Sequence, residues 1–156
     1  MPPFGKDLAQ GAPAGPLATY PGDDTWIDRP FGTGAVLVAD AAGYSNPIVG
    51  QGLSIAMRDA RTVRDVLRGS DWSEAAFDDY ATERRERMRR LRFIANTVAI
   101  AEAEDADNRD ARRAKWGELT ASDERAFLVL VGAFGGPEVV PPEAFADELH
   151  AAVRAA

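Results

Sequence analysis

The sequence predicts an α+β fold that is predominantly helical, with a few short strands near the N-terminus. Apolar residues recur at three- and four-residue steps through much of residues 53–153, which is the pattern of amphipathic helices. Short apolar runs bounded by glycine and proline are confined to the first forty residues, where they indicate strands. The length of 156 residues, with 46% apolar and 28% charged residues, fits one folded domain with a single core.

The chain divides into three parts by composition. Residues 1–34 form an arm rich in proline and glycine, followed by short strand-like pieces at 17–20 and 25–27. Residues 35–69 predict a strand, a tight turn and a helix. Residues 70–156 predict a helical region with a long helix and shorter C-terminal helices.

The strand–turn–helix segment is the feature around which the prediction is built. Residues 35–39 are an apolar run bounded by Gly34 and Asp40, which predicts a strand covered on both faces. Glycine and proline in the turn allow the backbone to approach a ligand, and the helix that follows aims its first amides at it. We expect this helix to end near Gly69 and to bury one apolar face, formed by Leu53, Ala56, Met57, Ala60, Val63 and Leu67.

The helical region contains a concentrated run of arginines. A long helix of about thirty residues is predicted, with Asp71 and Glu74 as a capping box at its start and an apolar face that runs from Phe77 to Val98. We interpret its basic residues as a solvated face paired with Glu83, Glu86 and the acidic stretch 102–110. The arginines are Arg84, Arg85, Arg87, Arg89, Arg90 and Arg92. Shorter helices are expected within residues 111–118, 120–134 and 142–153. The second carries Phe127 and Phe134 on its apolar face, and the last carries His150 on its surface.

Composition excludes several classes of function. A net charge of −7 argues against a nucleic-acid-binding surface. The absence of cysteine excludes disulfides and thiolate metal sites, and the single histidine supports neither a catalytic triad nor a transition-metal cluster. No apolar run approaches the ~20 residues of a membrane span, and the N-terminal residues lack the pattern of a secretory signal, so we expect a cytoplasmic protein.

Residues 40–60, DAAGYSNPIVGQGLSIAMRDA, resemble the second flavin motif of the FAD-dependent aromatic hydroxylases, the p-hydroxybenzoate hydroxylase-like monooxygenases. That motif has Gly-Asp at the end of a strand, a loop with proline, Gly-x-Gly opening a helix, and a later aspartate. The counterparts are Ala39-Asp40, Pro47, Gly50-Gln51-Gly52 and Asp59. The chain departs from the motif at Ala39, where the family usually has glycine, and at Gly43, where many members have histidine.

The resemblance implies a flavin site formed by six residues. Asp40 would bind the ribityl chain of FAD, and Pro47 would lie beside the isoalloxazine ring. The backbone amides of Gly50, Gln51, Gly52 and Leu53 would stabilise negative charge on the reduced ring. Asp59 is interpreted as structural, bonding a neighbouring backbone segment. No residue of the chain is assigned a catalytic role, because the cofactor would carry the chemistry.

The resemblance also implies an activity for a longer protein. The family uses NAD(P)H to reduce FAD and then inserts one oxygen atom into a small organic substrate. Its N-terminal βαβ unit with GxGxxG is not in this sequence, so we expect a partial FAD/NAD(P)-binding fold, with residues 1–34 a remnant of the substrate region. The chain would then be the C-terminal part of a flavoprotein, inactive alone and dependent on the missing FAD-binding portion.

Two alternatives stay open from the sequence. Gly43 and Asn46 lean toward the geranylgeranyl reductase-like flavoproteins, which reduce double bonds and need no oxygen insertion. The other alternative is a helical interaction module without catalytic activity.

Overall fold

The structure, a computed structural model, describes residues 10–12, 14–16, 18 and 22–156. It is predominantly helical with one small sheet, which confirms the predicted class. None of the described helices combines the length and apolar character needed to cross a bilayer. The elements are β1 Phe31–Gly32, β2 Ala35–Val36, α1 Gly52–Gly69, α2 Asp78–Val98, α3 Arg109–Ser122, α4 Glu124–Gly135 and α5 Asp147–Arg154.

The sheet is a two-stranded antiparallel hairpin. Phe31 lies opposite Val36, and Gly32 lies opposite Ala35. The prediction of a strand over residues 35–39 buried on both faces is wrong, because β2 ends at Val36 and Ala35 is exposed. Within the described part of the chain β2 has β1 as its one partner, so the hairpin is not flanked by further strands.

The other predicted strands do not add to this sheet. Residues 25–27 form no strand, although the amides of Thr25 and Ile27 donate to the carbonyls of Tyr44 and Ala42 at 2.9 and 3.3 Å. The predicted piece at 17–20 lies outside the described residues except for residue 18.

Helix α1 ends at Gly69 as predicted, but its orientation differs from the prediction. Its two buried residues are Val63 and Asp59, whereas Leu53, Met57 and Leu67 of the predicted core face are exposed. Asp59 is bound by two arginines of α2, described below, and the side of α1 that carries Asp59, Val63 and Val66 therefore faces the protein. The side that carries Leu53, Met57 and Leu67 faces solvent.

Helix α2 is the central element, and it makes up the predicted long helical segment together with the 3-10 turn Glu74–Phe77 before it and a π-helical turn after it. It runs for 21 residues and continues into a π-helical turn, Ala99–Ala103. Its first half packs into a small cluster with the hairpin and α1, formed by Phe31, Val63, Phe77, Tyr80 and Ala81. Its second half packs against the C-terminal helices in a larger cluster, formed by Phe93, Ile94, Ile100, Ala101, Trp116, Ala126, Val129, Ala133, Val140, Ala144, Leu149 and Val153.

Helix α4 exposes the aromatic residues that we expected it to bury. Asp123 caps its first turn by accepting from the amide of Arg125 at 2.8 Å, and Gly136 follows its last residue. A Cβ on Gly132 would lie 2.5 Å from Val140 and 2.9 Å from Ile94, so this glycine allows α4 to approach its neighbours closely. With Gly132 facing inward, Phe127 and Phe134 point to solvent, and the predicted apolar face is wrong.

His150 is half-buried rather than on the surface as predicted. Its ring stacks on Phe93 with centroids 4.2 Å apart, and its Nε2 lies 2.8 Å from Thr97 Oγ1. Burial lowers the pKa of His150, and this outweighs the hydrogen bond to the Phe93 carbonyl, which raises it; the charges of Arg154 and Asp147 have smaller, opposite effects. The fold therefore favours the neutral imidazole.

This histidine makes stability depend on pH. Because the folded protein binds the His150 proton more weakly than the unfolded chain, stability is lost as pH falls below the ordinary histidine pKa of 6.5. We expect the free energy of unfolding by urea to be smaller at pH 5 than at pH 7.5, and this difference to shrink in His150→Gln. An unchanged difference in the variant would mean that other groups cause it.

Candidate functional site

The predicted turn is built from two short 3-10 helices, Ala39–Ala42 and Pro47–Val49. Asp40 lies inside the first of them rather than at the end of a strand. The second is capped by Asn46, whose Oδ1 accepts from the amide of Ile48 at 3.0 Å, and ends at Gly50 in the left-handed region with φ 67°. Helix α1 begins two residues later, at Gly52.

The turn encloses a cavity of about 200 Å³ next to the first turn of α1. Five of the six predicted flavin residues line it together: Asp40, Pro47, Gly50, Gln51 and Gly52. The sixth, Leu53, faces a neighbouring groove of about 750 Å³ instead. The two spaces share three lining residues, Gln51, Ile55 and Leu91, and therefore lie side by side.

The backbone in front of the cavity is open. Within the part of the chain that the structure describes, no side chain caps the first turn of α1, and a Cβ added to Gly50 or Gly52 would meet no atom within 4 Å. Uncapped amides at a helix N-terminus carry partial positive charge. This end of α1 can therefore accept an electron-rich edge of a ligand.

Gln51 fixes the turn to the distant end of α4. Its side-chain amide donates to the carbonyls of Ala133 and Phe134 at 3.2 and 3.4 Å. Because its side-chain amide nitrogen is already hydrogen-bonded within the protein, we expect a ligand to contact the backbone of Gln51.

Below the turn lies a buried cluster of three charged side chains. Asp59, Arg84 and Arg87 are 0%, 2% and 6% exposed. The Arg84 Nε donates to Asp59 Oδ2 at 2.9 Å, and the Arg87 Nη2 donates to Asp59 Oδ1 at 2.6 Å. Arg87 also pairs with Glu83 one turn earlier at 3.0 Å, so the two buried guanidiniums share two carboxylates.

The cluster holds the first 3-10 turn at both ends. Arg84 donates to the carbonyls of Ala39 and Ala42 at 2.9 and 3.1 Å, and Asp59 accepts from the Ala39 amide at 2.9 Å. Tyr80 donates to the carbonyl of Leu37 at 2.8 Å just before the turn. Ala39 has φ 53°, a left-handed conformation that is unfavourable for alanine, and both its backbone polar groups are engaged. Asp59 thus bonds a neighbouring backbone segment, as the sequence suggested.

The charges of the cluster are fixed at neutral pH. Burial by itself raises the pKa of Asp59, but the hydrogen bonds from Arg84 and Arg87 outweigh it, and the net pKa is lowered. Burial, reinforced by the negative charge of Asp59, raises the pKa of Tyr80 to about 12. Asp59 is therefore ionised and Tyr80 neutral, so the cluster positions the backbone and does not transfer protons.

Sequence reasoning missed the arginines of this cluster. The interpretation of the basic run as a solvated face is wrong for Arg84 and Arg87, since both are buried. Their spacing carries a signal, because Tyr80, Arg84, Arg87 and Leu91 recur at helical steps along the buried side of α2.

Other arginines of the basic run agree better with the prediction that they pair within the protein. Glu86 pairs with Arg89 and Arg90 at 2.8 and 2.7 Å, as predicted for intramolecular pairing. The acidic stretch 102–110 does not pair with α2. Its glutamates pair with arginines outside that helix, namely Arg112, Arg113 and Arg154.

Two further residues of the site were not among the predicted ligands. Ser45 Oγ is buried at the cavity and has no hydrogen-bond partner in the described part of the protein. Gly43 has φ 143°, and a Cβ there would lie 2.7 Å from the carbonyl oxygen of Thr25 and 2.9 Å from the Cα of Trp26. Only glycine fits at position 43.

Comparison of the chain with models of protein families, with curated proteins and with solved structures gives no match in any of the three. The case for a function therefore depends on the geometry of the site. The cavity offers one carboxylate, uncapped amides and an apolar wall that includes Pro47 and Leu91. Among the described residues no group of three histidine, aspartate or glutamate side chains could hold a metal ion.

Proposed function

We propose that the cavity between the turn and α1 binds the ring system of FAD, and that the chain is the C-terminal part of an NAD(P)H-dependent flavin monooxygenase. The observation that carries the proposal is that five of the six predicted flavin residues line one cavity at an uncapped helix N-terminus. A negatively charged ring edge would be stabilised there by amides that are already oriented.

Two properties of the cavity support a flat, polar-edged ligand. Gly50 and Gly52 leave the space before the backbone empty, so a ring can approach the amides closely. The unpartnered hydroxyl of Ser45 can bond a polar group of the ligand. Burying a hydroxyl without a partner costs about 1–3 kcal/mol, which such a bond would recover.

Under this proposal each part of the chain has a limited task. Asp40 accepts from a ribityl hydroxyl, Pro47 forms a wall beside the ring, and the amides of α1 hold the ring edge. The cluster around Asp59 keeps the backbone of the turn in position. FAD, when bound, would supply the redox chemistry and oxygen activation, and a separate nucleotide-binding portion would hold its ADP half.

A double-bond reductase of the geranylgeranyl reductase-like type is the second candidate. It is favoured by Gly43, where many aromatic hydroxylases have histidine and where no side chain fits in this protein. The two reactions differ in their use of oxygen. Joined to a nucleotide-binding portion, a monooxygenase would consume oxygen together with NAD(P)H in the presence of substrate. A reductase would oxidise NAD(P)H equally well without oxygen.

The flavin site can be tested on the chain itself with riboflavin, which lacks the ADP half. We expect riboflavin fluorescence to be quenched on binding, and the amide NMR signals of Ser45, Gly50 and Gly52 to shift. Gly52→Leu would fill the space before the amides and weaken binding by roughly tenfold or more, equivalent to about 1.4 kcal/mol.

The matched control is Gly69→Leu, at the opposite end of the same helix, where an added side chain also meets open space. This variant should bind riboflavin like the unmodified chain. Equal binding by both variants, or no quenching by the unmodified chain, would show that the cavity is not a flavin site.

A further inference from the structure

One side of α1 is exposed to solvent along its length. Successive residues of an α-helix are turned by about 100°, so residues 53, 57, 60, 61, 64, 67 and 68 lie within an arc of about 120°. All of them are exposed to solvent. We call this side the α1 face, which consists of Leu53, Met57, Ala60, Arg61, Arg64, Leu67 and Arg68.

Exposed aromatic residues extend the α1 face at both ends. Phe134 is 83% exposed and lines a groove together with Leu53, which is 75% exposed, and Met57. At the other end Trp72 is 70% exposed, and its Nε1 donates to the carbonyl of Leu67 at 2.6 Å. The apolar residues of the face span about 21 Å, from the 1.5 Å rise over the 14 steps between Leu53 and Leu67. Several large apolar side chains exposed on one side of a helix indicate a contact surface.

The α1 face is basic although the protein is acidic. Helix α1 contains four arginines and two aspartates, in a chain of net charge −7, and Asp59 is buried. Within the described part of the chain, Arg61 and Arg68 have no carboxylate within 4 Å. Arg64 pairs only with its neighbour Asp65, and both side chains are more than half exposed, so this pair contributes little.

The arrangement of charges selects among possible occupants. In a view along the helix axis, Arg64 lies between Leu53 and Met57, so charged and apolar side chains are interleaved on the face. A second copy packed on the α1 face by a two-fold axis would bring six arginines into one interface to which neither face contributes a carboxylate, which is unfavourable. A protein partner would have to bury a carboxylate opposite each arginine, whereas lipid headgroups move laterally to meet them. Arginine can also extend its charged end to the headgroups while apolar neighbours insert more deeply.

We propose that the α1 face binds the surface of an anionic membrane, with Leu53, Met57 and Leu67 at the boundary of the acyl chains. Helix α1 lies in the plane of the interface, and the arginines of the face contact the headgroups. Trp72 and Phe134 lie at the level where aromatic side chains favour the interface. The binding is peripheral and reversible, and its strength falls with salt.

Co-sedimentation with vesicles tests this proposal. We expect the protein to bind vesicles of equal parts phosphatidylglycerol and phosphatidylcholine at low salt, and to stay in solution with phosphatidylcholine alone. In Trp26→Phe, which removes the other strongly exposed tryptophan, the emission of Trp72 should shift to shorter wavelength on binding. The buried Trp116 contributes a constant background.

Variants on the face and away from it make the test specific. Met57→Glu and the double variant Arg61→Glu/Arg68→Glu should each weaken binding by roughly tenfold or more. Phe127→Glu on α4 and Arg113→Glu on α3 alter exposed residues of the same types elsewhere and should bind normally. Circular dichroism would establish that all four variants fold.

Two results would overturn the proposal. One is the absence of binding to the anionic vesicles at low salt, or equal loss of binding in the face and control variants. The other is self-association without lipid that Met57→Glu abolishes, which would assign the face to a contact between copies. Flavin is absent from these experiments, so their failure leaves the proposed flavin site standing.

Discussion

Asp59→Asn is expected to lower the free energy of unfolding by about 3–5 kcal/mol, because it leaves two buried guanidiniums without their shared negative charge. An amide has nearly the same shape as the carboxylate, so the loss would reflect charge and not volume. Urea unfolding monitored by circular dichroism at pH 7 measures it. Arg84→Met, which removes the charge and three hydrogen bonds to the turn and Asp59, should also destabilise strongly.

The control is Asp65→Asn on the same helix. Asp65 pairs with Arg64 on the surface, and the removal of such a pair changes stability little. Acid provides an independent check, because the pKa of Asp59 is lowered from its ordinary value of 3.8. Its contribution is present above that pH and is lost as pH falls through the lowered pKa, so Asp59→Asn should lack this acid-dependent loss. Similar stability of the two variants would mean that the cluster does not hold the fold.

Gly43→Ala should be the most damaging glycine substitution near the site. The conformation with φ 143° costs alanine about 1–3 kcal/mol. The clash of its Cβ with the backbone of Thr25 and Trp26 adds about 1–3 kcal/mol. We expect a loss of about 3 kcal/mol or more in urea unfolding, and weaker riboflavin binding because the turn must shift.

Gly34→Ala separates these two causes. Gly34 also has a positive φ, 75°, but a Cβ there would meet no atom within 4 Å. Its substitution should show the backbone cost alone and leave riboflavin binding unchanged. If both variants lost the same stability, the contact of residues 25 and 26 with a Cβ at position 43 would make no contribution to the free energy of unfolding.

Local sequence patterns predict the helices well. The apolar steps predict the long helical segment around α2, and glycines mark the ends of α1 and α4, at Gly69 and Gly136. The face that each helix buries was predicted less well. An amphipathic pattern identifies the apolar side of α1 but not the presence of a neighbour to cover it, and for α4 the smallest residue, Gly132, determines the contact.

The candidate site likewise contains residues that the sequence alone could predict and others that it could not. Pro47, Gly50 and Gly52 shape the turn through their own backbone preferences, so the sequence alone could predict them. Arg84 is buried only because Asp59 and two backbone carbonyls meet it from parts of the chain 25 to 45 residues away. Single-residue chemistry favours exposure for arginine, and only the fold reveals that this one is enclosed.

The contacts that hold the Ala39–Ala42 turn also determine when it can form. They join residues 20 to 45 positions apart, from the Asp59 bond at Ala39 to the Arg84 bond at the same residue. Contacts of such separation require loop closure first, so the turn acquires its shape after α1 and α2 have docked. We therefore expect the cavity beside this turn to be among the last parts of the protein to assemble during folding.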